Sequence, residues 1–296
     1  MPEGHKIHRV AKAFAADFAQ VPIEASSPQG RFSAGAEQIT GKMLTDSRAV
    51  GKQMFLTFGD ATVLRVHLGI YGMWDFAGAM AGPVEVDARI GRTGIKPLVG
   101  ADQDPPEPIG QVRLRLLTPG PAWRMADLRG PNTCEILDPQ SAATVMAKLG
   151  PDPLSYRGTR AQAAAEFARR IANRSVPIAA LLMDQSVVAG IGNVYRAEML
   201  FRARLNPFVT GRELSAEAVA ALWVDWVGLL KIGVRTGKML TMEGISAKAK
   251  AAAVADRVDR HWVYGRAGLP CRVCGTDVSM QLLAGRKLYW CRVCQA

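Results

Sequence analysis

The chain has 296 residues, 49% of them hydrophobic and 21% charged, with 37 Lys and Arg against 26 Asp and Glu. That apolar share excludes a wholly disordered chain, and at roughly 100 to 200 residues per domain two domains are expected. There is no charge-free apolar run of about 18 residues, and Glu3, Lys6, Arg9, Lys12 and Asp17 crowd the start, so neither a membrane span nor a signal peptide is expected. The expected setting is the cytoplasm. Divided after Lys148, the chain carries 16 basic and 15 acidic residues in its first part and 21 and 11 in its second. A basic excess confined to one half points to a polyanion-binding surface there, with nucleic acid the first candidate and an anionic membrane the second.

In chain order, Ile7, Val10, Phe14 and Phe18 recur at three- and four-residue steps, which predicts an amphipathic helix over residues 4–18. From about Glu24 to Leu137 the pattern turns to short β-rich runs, Met54–Phe58, Ala61–His67 and Val112–Leu117, separated by Gly, Pro and Asp. This is the pattern of a β-sandwich or flattened barrel. Residues 77–110 hold several Gly and Pro with little periodicity and read as an insertion-like loop. Gly150-Pro151-Asp152-Pro153 is a compact breaker that coincides with the change in charge, and the domain boundary falls there. Beyond it, residues 160–173, 177–186 and 193–204 are helix candidates. Thr210 with Glu213 forms a possible capping box before Val219, Leu222, Trp223, Trp226, Val227 and Leu230, an apolar stripe that places both tryptophans in a core. Residues 243–256, rich in Ala and Lys, suit either a helix or a loop.

Cys271-Arg-Val-Cys274, then 16 residues, then Cys291-Arg-Val-Cys294 has the spacing of a four-cysteine zinc site. Each Cys-x-x-Cys turn aims two sulfurs at one ion. Four thiolates close the tetrahedral shell and leave no position for water or substrate, so the single zinc is structural. Two disulfides are the alternative reading. Met280–Leu283 and Lys287–Trp290 can pair as a hairpin around Ala284-Gly285-Arg286, which puts Arg286 at or near an exposed tip. Cys134 stands apart and reads as a buried apolar residue. Upstream, Gly190-Ile-Gly192-Asn193 precedes a helix. Glycine lets backbone approach a ligand, Asn193 can cap the helix while its amide reaches a phosphate, and free N–H groups at a helix start favour an anion. In the basic half, beside the cysteine hairpin, this suggests a phosphodiester clamp.

Together these features resemble the formamidopyrimidine-DNA glycosylase and endonuclease VIII family of base-excision repair enzymes. The resemblance runs through Met1-Pro-Glu-Gly4, Gly51-Lys52, His67-Leu-Gly-Ile-Tyr-Gly72, Gly150-Pro-Asp-Pro-Leu154, residues 183–198, and Val263-Tyr-Gly-Arg-Ala-Gly-Leu-Pro-Cys271 onward. It implies an α+β fold: an N-terminal helix plus β-sandwich domain (1–149), a helical domain with a helix–two-turn–helix (150–256), and a zinc-ribbon hairpin (257–296). It also implies a monomer acting on damaged double-stranded DNA, nucleoid-associated when bound.

The resemblance further implies the chemistry. After removal of Met1, the Pro2 secondary amine attacks C1′ of the damaged nucleotide, Glu3 protonates the sugar oxygen and shuttles protons, and Lys52 contacts phosphate at the lesion. An N-terminal amine of pKa about 8 is partly neutral at physiological pH. Ile70 and Tyr71 fill the hole left by the flipped nucleotide. Asn193 and Arg286 hold phosphates, with His67 and Tyr195 as weaker candidates.

Two departures bear on specificity. Where the family has Pro-Glu-x-Pro-Glu, this chain has Pro2-Glu3-Gly4-His5-Lys6, so a lysine replaces the second glutamate. Gly4 and Tyr71-Gly72-Met73-Trp74 are similar to the endonuclease VIII branch, and Asp127-Leu-Arg129-Gly130-Pro131 stands where the purine-directed branch has an Arg-Arg-Phe-Gly loop. Oxidised pyrimidines are therefore the expected substrates. The alternatives are an 8-oxoguanine or formamidopyrimidine-directed glycosylase, and a catalytically weak or inactive damaged-DNA-binding protein on the same scaffold.

Overall fold

The computed structural model describes residues 2–81, 104–256 and 260–296. Most of the expected 77–110 loop thus lies outside the described residues. The chain divides into two compact units, Met1–Lys148 and Leu149–Ala296. Among the described residues, no helix is long and apolar enough to cross a membrane.

The first unit opens with α1 (Gly4–Asp17), followed by β1 (Glu24–Ser26), α2 (Ser33–Ile39), β2 (Leu44–Val50), β3 (Gln53–Phe58), β4 (Val63–His67) and β5 (Met73–Gly78). It ends with β6 (Val112–Thr118), β7 (Arg124–Arg129), β8 (Thr133–Leu137) and α3 (Pro139–Ala147). Two antiparallel sheets, ordered β2-β3-β4-β8 and β1-β6-β7-β5, make the expected sandwich. Alternation drives it: Leu56, Leu64 and Val66 from one sheet and Leu114, Leu116 and Leu128 from the other join one core. Helix α1 contributes Ile7, Val10, Phe14 and Phe18 to the same core, and Phe14 meets Trp74 edge-on at 4.9 Å. Each such fully buried side chain contributes about 1.5–3 kcal/mol, which anchors the helix that carries the chain's first residues.

The second unit contains α4 (Arg160–Ile171), α5 (Ile178–Leu181), α6 (Asn193–Arg202), α7 (Ala216–Thr236), α8 (Ala247–Ala255) and the hairpin β9 (Ser279–Leu283) with β10 (Arg286–Trp290). Both tryptophans of the α7 stripe are buried, Trp223 against Phe167 and Trp226 against Tyr195. Two expectations are corrected. The helix expected over 177–186 is a single turn, because Asp184 Oδ1 accepts from Ser186 N at 2.8 Å and Gln185 bridges Met183 O, Ile191 O and Gly190 N. Side chains that satisfy nearby backbone groups divert the chain from helix. The Thr210–Glu213 box exists but caps a short 3₁₀ turn, Gly211–Glu213; α7 is capped by Ser215, whose Oγ accepts from Ala218 N at 3.2 Å.

Candidate active site and nucleic-acid interface

Pro2 is half-buried and precedes α1, and Glu3 occupies the N-cap position of that helix with its side chain sealed from solvent. His5, one turn in, is also fully buried. Burial first, then the charges of Lys6, Arg9, His8 and the N-terminus, hold its imidazole well below the ordinary value. The start of α1 therefore carries a buried carboxyl group two residues from a buried imidazole that resists protonation.

One end of the β2-β3-β4-β8 sheet gathers a second group. Lys52 follows Gly51, whose φ of 60° turns β2 into β3. Gln53 pairs with His67 and His67 with Thr133, so the Lys52 turn, the end of β4 and the start of β8 share one sheet end. Burial, then Lys52, then Arg65 lower the His67 pKa, so this sheet end disfavours a second cation beside Lys52. The loop that leaves β4 exposes Ile70 at 45% and Tyr71 at 76%. Neither is in the sandwich core, which leaves both able to meet a ligand. Gly69 (φ 66°) crosses so close to Asn132 that a Cβ there would lie 2.8 Å from the Asn132 Cβ. Arg129 Nε donates to Asp75 Oδ2 at 2.6 Å, so this arginine is committed to the sheet.

In the second unit, Gly150 N donates to Gln185 O at 2.8 Å, and a Cβ on Gly150 would lie 2.4 Å from the Val187 carbonyl carbon. This fixes the 183–192 turn. Gly192, not Asn193, is the N-cap of α6. Asn193 is instead the first helical residue, 7% exposed, and its Nδ2 donates to Lys287 O at 2.8 Å. The weaker candidate Tyr195 is removed as a phosphate contact. It is fully buried, and its ring packs edge-on against Trp226 at 5.0 Å. Sequence reasoning passed over Arg196, which is fully buried on α6. Its signal was a lone arginine amid Val194, Tyr195, Ala197 and Met199, all of them buried.

Ala284 (φ 49°) and Gly285 (φ 71°) make the two-residue turn between β9 and β10, of the type that suits strand twist. Arg286 is the exposed first residue of β10, paired with Leu283. The four sulfurs of Cys271, Cys274, Cys291 and Cys294 all lie within 4.8 Å of one another. Separations of 3.9 Å (271–294) and 3.4 Å (274–291) are far beyond a disulfide bond. They bracket the ~3.8 Å edge of a tetrahedron with metal–sulfur bonds near 2.3 Å. The cluster thus fits a metal ion and not two disulfides. Glu198 on α6 braces the segment that leads into it, accepting from Trp262 N, Val263 N and Tyr264 N at 2.8, 2.9 and 2.9 Å. Cys134 lies apart, packed on the sandwich core, and burial pushes its thiol up to about 12.

Residues 1–134 match the formamidopyrimidine-DNA glycosylase N-terminal domain and residues 149–244 its H2TH domain, which defines the class as a DNA glycosylase scaffold. The chain is 41% identical over 295 residues to proteins named Endonuclease 8 1 from Mycobacterium tuberculosis and Mycobacterium bovis, with 100% of each chain covered. It is 38% identical over 151 residues to the formamidopyrimidine-DNA glycosylase of Thermus thermophilus, covering 51% of this chain and 55% of that one. Among solved structures, the Thermus thermophilus MutM (Fpg) protein aligns at TM-score 0.69 and 25% identity over 99% and 98% of the two chains. The Lactococcus lactis Fpg complex with abasic-site DNA shares the fold at TM-score 0.72 and 20% identity, with 99% of each covered. The chain belongs to the formamidopyrimidine-DNA glycosylase and endonuclease VIII family, whose members are DNA glycosylases with abasic-site lyase activity.

Proposed function

We propose that the chain excises oxidised bases, pyrimidines before purines, through a covalent intermediate on Pro2. The observation that carries this reading is the pairing of Pro2 with a solvent-sealed Glu3 at the head of α1. Once Met1 is cleaved, the neutral Pro2 nitrogen forms a bond to C1′ and the base departs with the glycosidic electron pair, taking up the proton that the amine sheds; Glu3 then protonates O4′ as the C1′–O4′ bond breaks, and the nitrogen lone pair closes the iminium. The resulting iminium acidifies the C2′ proton, and its removal expels the 3′ phosphate; a second elimination expels the 5′ phosphate.

Lys52 supplies positive charge for the phosphate at the lesion, and Ile70 and Tyr71 fill the vacated stack, offsetting an unstacking cost of a few kcal/mol. Asn193 spends one amide N–H on Lys287 O, and its second serves a phosphate alongside Arg286. The full-length likeness to Endonuclease 8 1 and the commitment of Arg129 to Asp75 support the pyrimidine-directed reading. For the cluster, four thiolates favour zinc, which supplies a closed structural centre.

Borohydride reduction on abasic-site DNA should trap a covalent adduct that disappears in Pro2→Gly or when Met1 is retained. A panel of thymine glycol, dihydrouracil and 8-oxoguanine duplexes reads the base preference. Tight binding without excision of any oxidised base would replace this reading with a damaged-DNA-binding role.

A further inference from the structure

None of the roles above uses Arg196. Its guanidinium is fully buried, three residues after Asn193. From there it donates to Asn193 Oδ1 and to Lys287 O at 3.1 Å, and reaches Ala179 O, on α5, at 3.5 Å. Asn193 Nδ2 donates to the same Lys287 carbonyl. One backbone oxygen, on the residue directly after Arg286, thus receives two α6 side chains and fills both of its lone pairs.

A two-stranded ribbon is marginal alone and can rock about its base. Here β10, the strand that packs on α6, is gripped at Lys287, one residue beyond Arg286. Burying a guanidinium is expensive, and an apolar side chain of similar volume would pack a helix face at least as well. Packing therefore does not account for a charge at this position. Charge-assisted hydrogen bonds aimed at one carbonyl do, because they fix where β10 emerges from the helical core.

We propose that Arg196 is a positioning residue for Arg286, setting the hairpin so that the Arg286 guanidinium and the Gly190–Asn193 turn grip DNA phosphates as one rigid clamp. The inference rests on the reading of Arg286 as a phosphate contact. Arg196 itself touches no DNA. Its loss leaves the Arg286 charge in place but unaimed.

A double-mutant cycle tests this on the full-length protein with a duplex containing a tetrahydrofuran abasic analogue. Arg286→Ala should weaken binding about tenfold, the scale of one charge-assisted contact, and flatten the slope of log K against log salt by about 0.9. Arg196→Met should reproduce most of both changes, with zinc content and Tm confirming the fold. The double variant should bind no worse than Arg286→Ala, since an unaimed and an absent arginine are equivalent. Arg196→Lys, which keeps the charge but not the planar fork of donors, should recover part of the loss, and the cycle is run with it if the methionine variant does not fold. Additive losses, or a wild-type salt slope in the Arg196 variant, overturn the assignment while leaving Arg286 its role. An Arg286→Ala protein that binds like wild type overturns both.

Discussion

At the scale of single residues, the surroundings of two histidines disfavour their charged forms. Burial, and then the Lys52 and Arg65 charges, act this way on the His67 imidazolium. Lys52→Met should therefore raise the His67 pKa in an NMR titration, and an unmoved resonance would show that the two side chains do not sense each other. The same replacement should slow strand cleavage more than it weakens binding if Lys52 stabilises charge at the reacting phosphate. Both His5 and His67 have folded-state values below the ordinary value of 6.5. In the window between the folded and unfolded pKa, the unfolded chain binds more protons than the native one, so stability rises with pH there. The contribution is complete above about pH 6.5, is lost as pH falls toward the folded values, and levels off below them. Thermal unfolding scans from pH 7.5 to 5 should show a falling Tm, and His5→Leu should make that fall shallower. A pH-independent difference between the two proteins would show that His5 does not titrate on unfolding.

At the scale of elements, local sequence was a good guide wherever one periodic signal controlled the outcome. The Ile7-Val10-Phe14-Phe18 spacing gave α1 nearly to its ends, and β3, β4 and β6 matched their apolar runs within two residues. The segment between the Cys-x-x-Cys pairs formed the expected hairpin, with Arg286 opening β10 directly after the two-residue turn. Less legible were elements shaped by distant partners. Strands β1, β7 and β8 are defined by pairing with β6, β5 and β4 rather than by an apolar run of their own. The sequence pointed to Thr210 as the cap before the α7 stripe, but the path of the chain makes that box close a separate 3₁₀ turn and leaves Ser215 to cap α7. Ser215→Ala should destabilise the protein by about 1 kcal/mol, the usual worth of an N-cap, seen as a lower denaturant midpoint at constant m-value. An effect that small could not arise at Gly150, where a Cβ would meet the Val187 backbone at 2.4 Å. Gly150→Ala must displace the 183–192 turn, and it should weaken DNA binding as well as stability. The most instructive miss is Asn193. Sequence gave the right residue for the turn but not its place in the helix or the carbonyl it holds, since that carbonyl lies 94 residues away.

At the scale of the whole molecule, the net charge of +11 separates into a near-neutral first part and a strongly basic second one. The chemistry proposed for Pro2 and Glu3 belongs to the first unit, and the Asn193 and Arg286 grip to the second. Metal removal should separate the two functions. Apart from the cysteines, the core around the cluster is small, built from Ala197, Phe201, Val263 and Val278 with partly buried aromatic neighbours. The hairpin's Leu283, Leu288 and Trp290 pack on the large helical core, whereas the two Cys-x-x-Cys turns rest on this small cluster, so the turns depend on the metal, whose binding energy is folding energy. Chelation should release one zinc per chain, measured with a chromogenic chelator, and loosen the cysteine turns at the base of the hairpin. Arg286 then loses its fixed position, so affinity for abasic-site DNA should drop at least about tenfold and the salt slope should flatten. The first unit keeps a core that no cysteine ligand enters. Borohydride trapping at saturating DNA should accordingly survive chelation, because the Pro2 amine and Glu3 stay in place. If trapping and affinity instead fell together even at saturating DNA, the metal would be supporting the chemistry as well as the grip, and this division of labour would be wrong.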